Sequence, residues 1–144
     1  MLIGQYISKL TEGNRVAVPK KIREELGVEM VVAKWYESCL VLVSIVNWQK
    51  LITRLIGNTE LIISPVRDID RFILASAFEV SLDGQGRFVL PESLIDYASF
   101  ENDLIFVGLG ERVEIWQLAR WRDLEKLSEE KAAKAIEKIA KREK

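Results

Sequence analysis

Two arginines follow two turn-like segments at equivalent places in this sequence, and their side chains are well suited to bind an anion. Arg15 follows residues 11–14, Thr-Glu-Gly-Asn, and Arg87 follows residues 83–86, Asp-Gly-Gln-Gly. Each arginine would leave a tight turn at the start of a strand, where its guanidinium group could fork to a phosphate or to a guanine edge. For Arg87 the alternative is a salt bridge to Asp83 across the turn. An aspartate that orients the arginine would allow both roles.

A group of basic residues flanks the first of these turns. It consists of Lys9, Lys20, Lys21 and Arg23. Phosphate contact is one interpretation, and the other is an exposed helix face on which Lys20 and Lys21 pair with Glu24 and Glu25. Because Glu92 stands where Lys20 would match in the second segment, the phosphate contacts would come from the first segment alone.

Residues that could support catalysis are scarce. The chain has no histidine, and its single cysteine, Cys39, precedes an apolar run, which favours a buried thiol over a nucleophile. Cys/His metal sites are excluded by count, and residues 83–86 are too short a glycine-rich segment to be a P-loop. We therefore expect neither an enzyme nor a cofactor nor a small-molecule substrate.

The composition is that of a folded domain. The chain has 144 residues, of which 49% are hydrophobic and 30% charged, with a formal net charge of −1. Any DNA binding must therefore depend on local basic patches, which a symmetric oligomer would repeat along one face. No apolar stretch is long enough to cross a bilayer, and residues 1–6 do not resemble a secretory signal. We expect a cytoplasmic protein with no membrane partner.

An internal repeat organises the chain. When Arg15 is aligned with Arg87, Leu10 falls on Leu82 and Pro19 on Pro91. Each copy predicts a β-hairpin, a short helix opened by the proline, a second strand pair and a further helix. The clearest strand signal is in the second copy, where the apolar residues at 78, 80 and 82 alternate with polar ones.

The helices outside these hairpins also have sequence signals. Asn47 is expected to cap the helix that carries Trp48, and Ser64-Pro65 to open a packed connecting helix. Trp48 and Trp121 occupy equivalent positions and are expected in the core, as are Trp35, Phe106 and Trp116. The last twenty residues predict an exposed helix with Leu127, Ile136 and Ile139 as sparse apolar anchors.

The second copy resembles the MraZ family. The resemblance rests on residues 72–79, on Asp83-Gly84-Gln85-Gly86-Arg87, on Leu90-Pro91 and on residues 108–116, and it extends over nearly the whole chain. It implies a β-rich α+β fold of two tandem swapped-hairpin, AbrB-like β-barrel repeats. The first copy departs from the family pattern, because Thr11 replaces the aspartate and Asn14 the glycine. The turn geometry could survive both changes, since asparagine tolerates positive φ.

The resemblance also implies a function. MraZ proteins regulate transcription of the division and cell-wall gene cluster, so we expect a DNA-binding repressor of that cluster and of its own promoter, associated with the nucleoid. Its partners would be double-stranded promoter DNA with repeated short sites and further copies of itself in a ring-like homo-oligomer. The implied DNA-binding residues are Lys9, Asn14, Arg15, Lys20, Lys21, Asp83, Gln85 and Arg87. The alternative is an antitoxin-like or scaffold module that binds a protein through the C-terminal tail.

Four segments are predicted. They are a first repeat at 4–57, a connecting helix at 58–75, a second repeat at 76–124 and an exposed C-terminal helix at 125–144.

Overall fold

The fold is that of a sheet-rich α+β protein whose elements follow the same order twice. The computed structural model describes residues 1–56 and 64–142. The first series is β1 (Leu2–Thr11), β2 (Arg15–Ala17), α1 (Lys20–Leu26), β3 (Met30–Lys34), β4 (Leu40–Ser44) and α2 (Ile45–Ile56). The second is β5 (Phe78–Val80), β6 (Arg87–Val89), α4 (Glu92–Ala98), β7 (Asp103–Gly110), β8 (Val113–Gln117) and α5 (Leu118–Arg142), and α3 (Ser64–Phe72) lies between the two.

The first strand of each series pairs with a strand of the other series. The strand order is β5-β3-β4-β8-β7-β1-β2-β6. β1 runs antiparallel to β7 from Leu2 opposite Gly110 to Lys9 opposite Asp103. β5 runs antiparallel to β3, with Val80 opposite Met30. This reciprocal exchange is the swapped-hairpin arrangement, so the predicted fold of tandem swapped-hairpin repeats is confirmed.

The eight strands form a nearly closed antiparallel barrel. β5 and β6 stand at the two ends of the strand order, and the turn between them is closed by hydrogen bonds from Asp83 N–H to the Arg87 carbonyl (2.7 Å) and from Gly86 N–H to the Asp83 carbonyl (3.0 Å). Apolar side chains from all eight strands fill the interior, together with residues of α1 and α4. The largest of them that are fully buried are Ile22, Met30, Leu40, Leu42, Leu90, Leu94, Leu104, Phe106 and Ile115.

A second apolar layer lies between the outer face of the sheet and the helices α2, α3 and α5. Alternate residues of β3, β4 and β7 point into it, so these strands are buried on both faces. Trp35 and Trp116 are buried there, while Trp48 and Trp121 are partly buried, which confirms the predicted core role of these aromatic residues. Arg120 attaches α5 to repeat 1 by donating from Nη1 to the Ser38 carbonyl and from Nη2 to the Glu37 carbonyl, each at 2.8 Å.

Two local predictions were wrong. The helix α2 begins at Ile45, and the hydroxyl of Ser44 accepts the N–H of Asn47 at 3.2 Å, so Ser44 is the cap and Asn47 lies inside the first turn. In α5, Leu127, Ile136 and Ile139 are 54%, 68% and 58% exposed, so they do not anchor the helix on the described part of the chain.

The predicted segment limits stay a prediction. The predicted boundary between the first repeat and the connecting helix, at residues 57 and 58, lies outside the described residues, as do the rest of 57–63 and the last two residues of the tail, 143–144. No helix within the described ranges is both long enough and apolar enough to span a membrane.

The close approach of β1 and β7 gives a first test of the exchanged pairing. A Cβ atom on Gly108 would lie 2.7 Å from the backbone nitrogen of Ile3, so Gly108→Ala should force β1 away from β7. We expect the free energy of unfolding, measured in urea, to fall by about 1–3 kcal/mol. Gly84→Ala is the control, because nothing lies within 4 Å of a Cβ there. Equal stability of the two variants would contradict the described register.

Candidate functional site

The two candidate arginines lie on one face of a two-stranded antiparallel ribbon formed by β2 and β6, which we call the β2–β6 ribbon. Its register places Val16 opposite Phe88, and both side chains are buried in the barrel. Side chains alternate between the faces of a strand, so the flanking residues point outward. The outward residues are Arg15, Ala17, Arg87 and Val89. The ribbon thus combines one arginine from each repeat on a single exposed face.

Each end of the ribbon carries one of the predicted turns, which we call the first turn (residues 11–14) and the second turn (residues 83–86). The turns are bound to the ribbon by reciprocal contacts. Val18 N–H donates to the Gly86 carbonyl at 3.0 Å, and Leu90 N–H donates to the Asn14 carbonyl at 2.8 Å. Each turn is therefore held by the strand segment of the opposite repeat.

Asp83 organises the second turn and orients Arg87. One carboxylate oxygen, Oδ1, accepts the backbone N–H groups of Gln85 (2.8 Å) and Arg87 (3.0 Å), while Oδ2 accepts Nε–H of Arg87 at 3.0 Å. Because this bond uses Nε–H, it does not consume the N–H groups on the two Nη atoms of the partly exposed Arg87 side chain. The structural and anion-binding roles considered for Arg87 are therefore compatible.

The hydrogen bonds to Asp83 change its acid–base behaviour. The N–H of Arg87, above all, lowers the pKa of the Asp83 carboxyl below its usual value, partly opposed by desolvation. The Gln85 N–H and the Arg87 guanidinium group lower the pKa further. A charged Asp83 is thus favoured by the folded turn.

The first turn shares with the second turn the positive φ of its last residue, but it differs in the backbone of the preceding residue and in its side-chain contacts. Gly13 and Asn14 adopt positive φ values of 76° and 58°, as the sequence suggested for asparagine. The Thr11 hydroxyl donates to the Arg15 carbonyl at 3.3 Å, and Arg15 Nη1 donates to the Glu12 carbonyl at 3.3 Å. Arg15 is exposed, and its guanidinium group is held by a peptide carbonyl instead of a carboxylate.

The side chains of the predicted basic group do not point the same way. Lys20 and Lys21 are exposed on α1, and Lys20 Nζ lies 4.0 Å from a Glu24 carboxylate oxygen. Lys9 is exposed on β1 with Asp103 opposite it. Arg23 instead points to the second turn, and its Nε donates to the Val18 carbonyl at 3.0 Å. Sequence proximity grouped Arg23 with the lysines and missed this contact.

The single thiol, that of Cys39, has little reactivity because of its surroundings. Cys39 is fully buried, and its pKa is raised by desolvation and then by the charges of Glu114 and Glu37. A protonated, inaccessible thiol is a poor nucleophile, as predicted. Among the described residues no three His, Cys, Asp or Glu side chains are grouped so that they could hold a metal ion.

Comparison with known proteins identifies the family. A family model described as "MraZ protein, putative antitoxin-like" matches residues 73–143. Transcriptional regulator MraZ of Syntrophomonas wolfei is 38% identical over 140 residues, covering 97% of this chain and 94% of that protein. The chain belongs to the MraZ family. Transcriptional regulator MraZ of a Thermoanaerobacter species is 38% identical over 123 residues, covering 85% of each chain, and that of Clostridium acetobutylicum is 37% identical over 121 residues, covering 84% of each. The MraZ resemblance predicted from the second copy is confirmed.

The role of Asp83 in the second turn can be tested by measuring stability as a function of pH. Because folding lowers its pKa, the stabilisation that Asp83 contributes is present above the unfolded pKa of about 4 and is lost as the pH falls through the folded value. Asp83→Ala should therefore lower the urea midpoint at pH 7, and its difference from the wild type should narrow below about pH 4. Asp123→Ala on α5 controls for the loss of one negative charge. A difference for Asp83→Ala that does not change with pH would contradict the assigned role.

Proposed function

We propose that the chain is a sequence-specific regulator of transcription that reads double-stranded promoter DNA with the β2–β6 ribbon. The observation that carries this proposal is the placement of Arg15 and Arg87 on one outward face of a two-stranded ribbon. The major groove of B-DNA, about 12 Å wide, admits such a ribbon. The curated relatives are named transcriptional regulators, which agrees with this use of the surface.

The residues around the ribbon divide into base-reading and phosphate-binding groups. In this proposal Arg87, aligned by Asp83, forks to a guanine edge, and Arg15 does the same or binds a neighbouring phosphate. Asn14 and Gln85 lie on the exposed turns, where their amides can reach base edges or sugar–phosphate oxygens. Lys9, Lys20 and Lys21 supply exposed ammonium groups for phosphates.

The charge of the chain favours binding by several copies at once. With a net charge of −1 a single protomer has little general attraction for DNA, so its affinity for one site would be modest. A ring-like homo-oligomer on repeated short sites would multiply that affinity. By its family, the protein would repress the division and cell-wall gene cluster and its own promoter, acting in the cytoplasm at the nucleoid.

A protein-binding role is the second candidate, and one feature of α5 favours it. Leu127, Ile136 and Ile139 are exposed apolar side chains on a helix of 25 residues, and Ile136 and Ile139, spaced three residues apart, lie on one side of it, where a partner protein could dock. An antitoxin-like or scaffold role would use this helix instead of the ribbon.

The decisive experiment is an anisotropy titration of labelled DNA from the promoter upstream of the gene, with scrambled DNA of the same length. The wild type should prefer the promoter, and Arg87→Ala should lose roughly 10-fold or more of its promoter affinity, since a bidentate arginine–guanine contact contributes about 1–3 kcal/mol. Arg122→Ala, a change of an exposed arginine on α5, is the control. A wild type without promoter preference would favour the protein-binding candidate.

The proposed phosphate contacts of the α1 lysines are tested by the salt dependence of DNA binding. Replacing Lys20 and Lys21 together with alanine should weaken binding to promoter and scrambled DNA alike. It should also reduce the slope of log affinity against log salt by about 0.9 per lost phosphate contact. Lys134→Ala with Lys138→Ala on α5 is the matched control. An unchanged salt slope in the α1 variant would remove these lysines from the binding surface.

A further inference from the structure

The second turn is held by an arginine of repeat 1. The backbone of Val18, the residue directly after β2, makes two hydrogen bonds. Its N–H donates to the Gly86 carbonyl at 3.0 Å, and its own carbonyl accepts Nε–H of Arg23 at 3.0 Å. Val18 thereby joins the second turn to the first helix of the other repeat.

The Arg23 guanidinium group also lies directly against Gly86. A Cβ atom at position 86 would lie 2.6 Å from Arg23 Cζ and Nη1 and 2.7 Å from Nε. Gly86 is buried and has a positive φ of 74°. With Arg23 in this position, only glycine fits at residue 86 without displacement of the guanidinium group.

The first turn provides an internal comparison. In the alignment of Arg15 with Arg87, Asn14 matches Gly86 and Ile95 matches Arg23. Asn14 has a φ of 58°, and its carbonyl accepts a hydrogen bond from the other repeat just as that of Gly86 does. Ile95, however, is apolar and packs on the barrel core. The first turn thus carries a side chain where the second turn has glycine, and the residue that matches Arg23 is apolar.

We propose that Arg23 is the positioning residue of the second turn, and that Arg23 and Gly86 form a coupled pair required for sequence reading. Arg23 fixes the turn whose Asp83 aligns Arg87, so it acts on DNA only through that turn. This inference rests on the proposed DNA-binding function. It assigns Arg23 a role different from that of Lys20 and Lys21, although all three lie on α1.

The coupling is tested by a double-mutant cycle that copies the residue pair of the first turn into the second. The variants are Gly86→Asn, Arg23→Ile and the two combined. Asparagine suits a positive φ, so the clash with Arg23 is the main penalty of Gly86→Asn. We expect Gly86→Asn alone to lower the urea midpoint by on the order of 1 M, and the combined variant to recover most of that loss. Additive midpoint changes would overturn the coupling.

A DNA-binding measurement distinguishes a positioning role of Arg23 from a role in stability alone and from direct contact with phosphate. Arg23→Lys keeps the positive charge but lacks the planar group that reaches the Val18 carbonyl and covers Gly86. We expect it to lose roughly 10-fold of the preference for promoter over scrambled DNA, while affinity for scrambled DNA and its salt slope stay at the wild-type values. Retention of the full promoter preference by Arg23→Lys would overturn the positioning role. A loss of affinity equal on both DNAs would show phosphate contact and would overturn it too.

The two proposals fail in different ways. If the wild type shows no promoter preference, the DNA-binding function fails and the positioning role for reading fails with it. The unfolding cycle needs no DNA, so it still decides whether Arg23 and Gly86 are coupled. Coupling together with a wild-type preference that Arg23→Lys loses is the combined result that supports the inference in full.

Discussion

The reciprocal exchange of first strands is the interaction on which the rest of this structure depends. β1 pairs with β7 and β5 with β3, so each repeat completes the sheet of the other. This exchange leaves β2 and β6 beside one another, and their pairing brings Arg15 and Arg87 onto one face. The candidate site is therefore a property of the folded pair of repeats. Neither repeat alone could form it, because each contributes one strand and one arginine.

The two halves of the site share one backbone hydrogen bond between the repeats, but their side chains differ in chemistry. Both turns are bound by an N–H group of the opposite repeat. In the second turn a carboxylate aligns Arg87, whereas in the first a peptide carbonyl holds Arg15. A carboxylate gives a stronger, charge-assisted bond than a carbonyl, so the direction of Arg87 is more tightly set. In the proposed DNA-binding role, the surface would therefore combine one arginine of fixed direction with one whose direction can adapt.

The sequence predicted the individual strands and helices well, but it did not predict which strands pair or where particular side chains point. The alternation from Phe78 to Leu82 indicated a half-buried strand, and Pro19 and Pro91 indicated the two short helices, because these signals depend on neighbouring residues. Alternation carries no information on which strand lies alongside, so the exchange itself came from family resemblance. Arg23 was grouped with Lys20 because sequence records charge but not direction. Ser44 and Asn47 are both good capping residues, and the sequence does not show that the helix begins at Ile45, directly after β4, which makes Ser44 the cap.

The exchanged pairing also bears on how the protein is made. During synthesis the N-terminal strand β1 emerges from the ribosome long before its partner β7 exists, and β3 likewise precedes β5. The nascent chain must carry the apolar side of β1 without a partner until repeat 2 has been translated. Pairings between residues so distant in the sequence form slowly, and unpaired strand edges invite association between chains. Until β7 has been translated, the edge of β1 that it will cover is therefore the part of the nascent chain most exposed to wrong pairing.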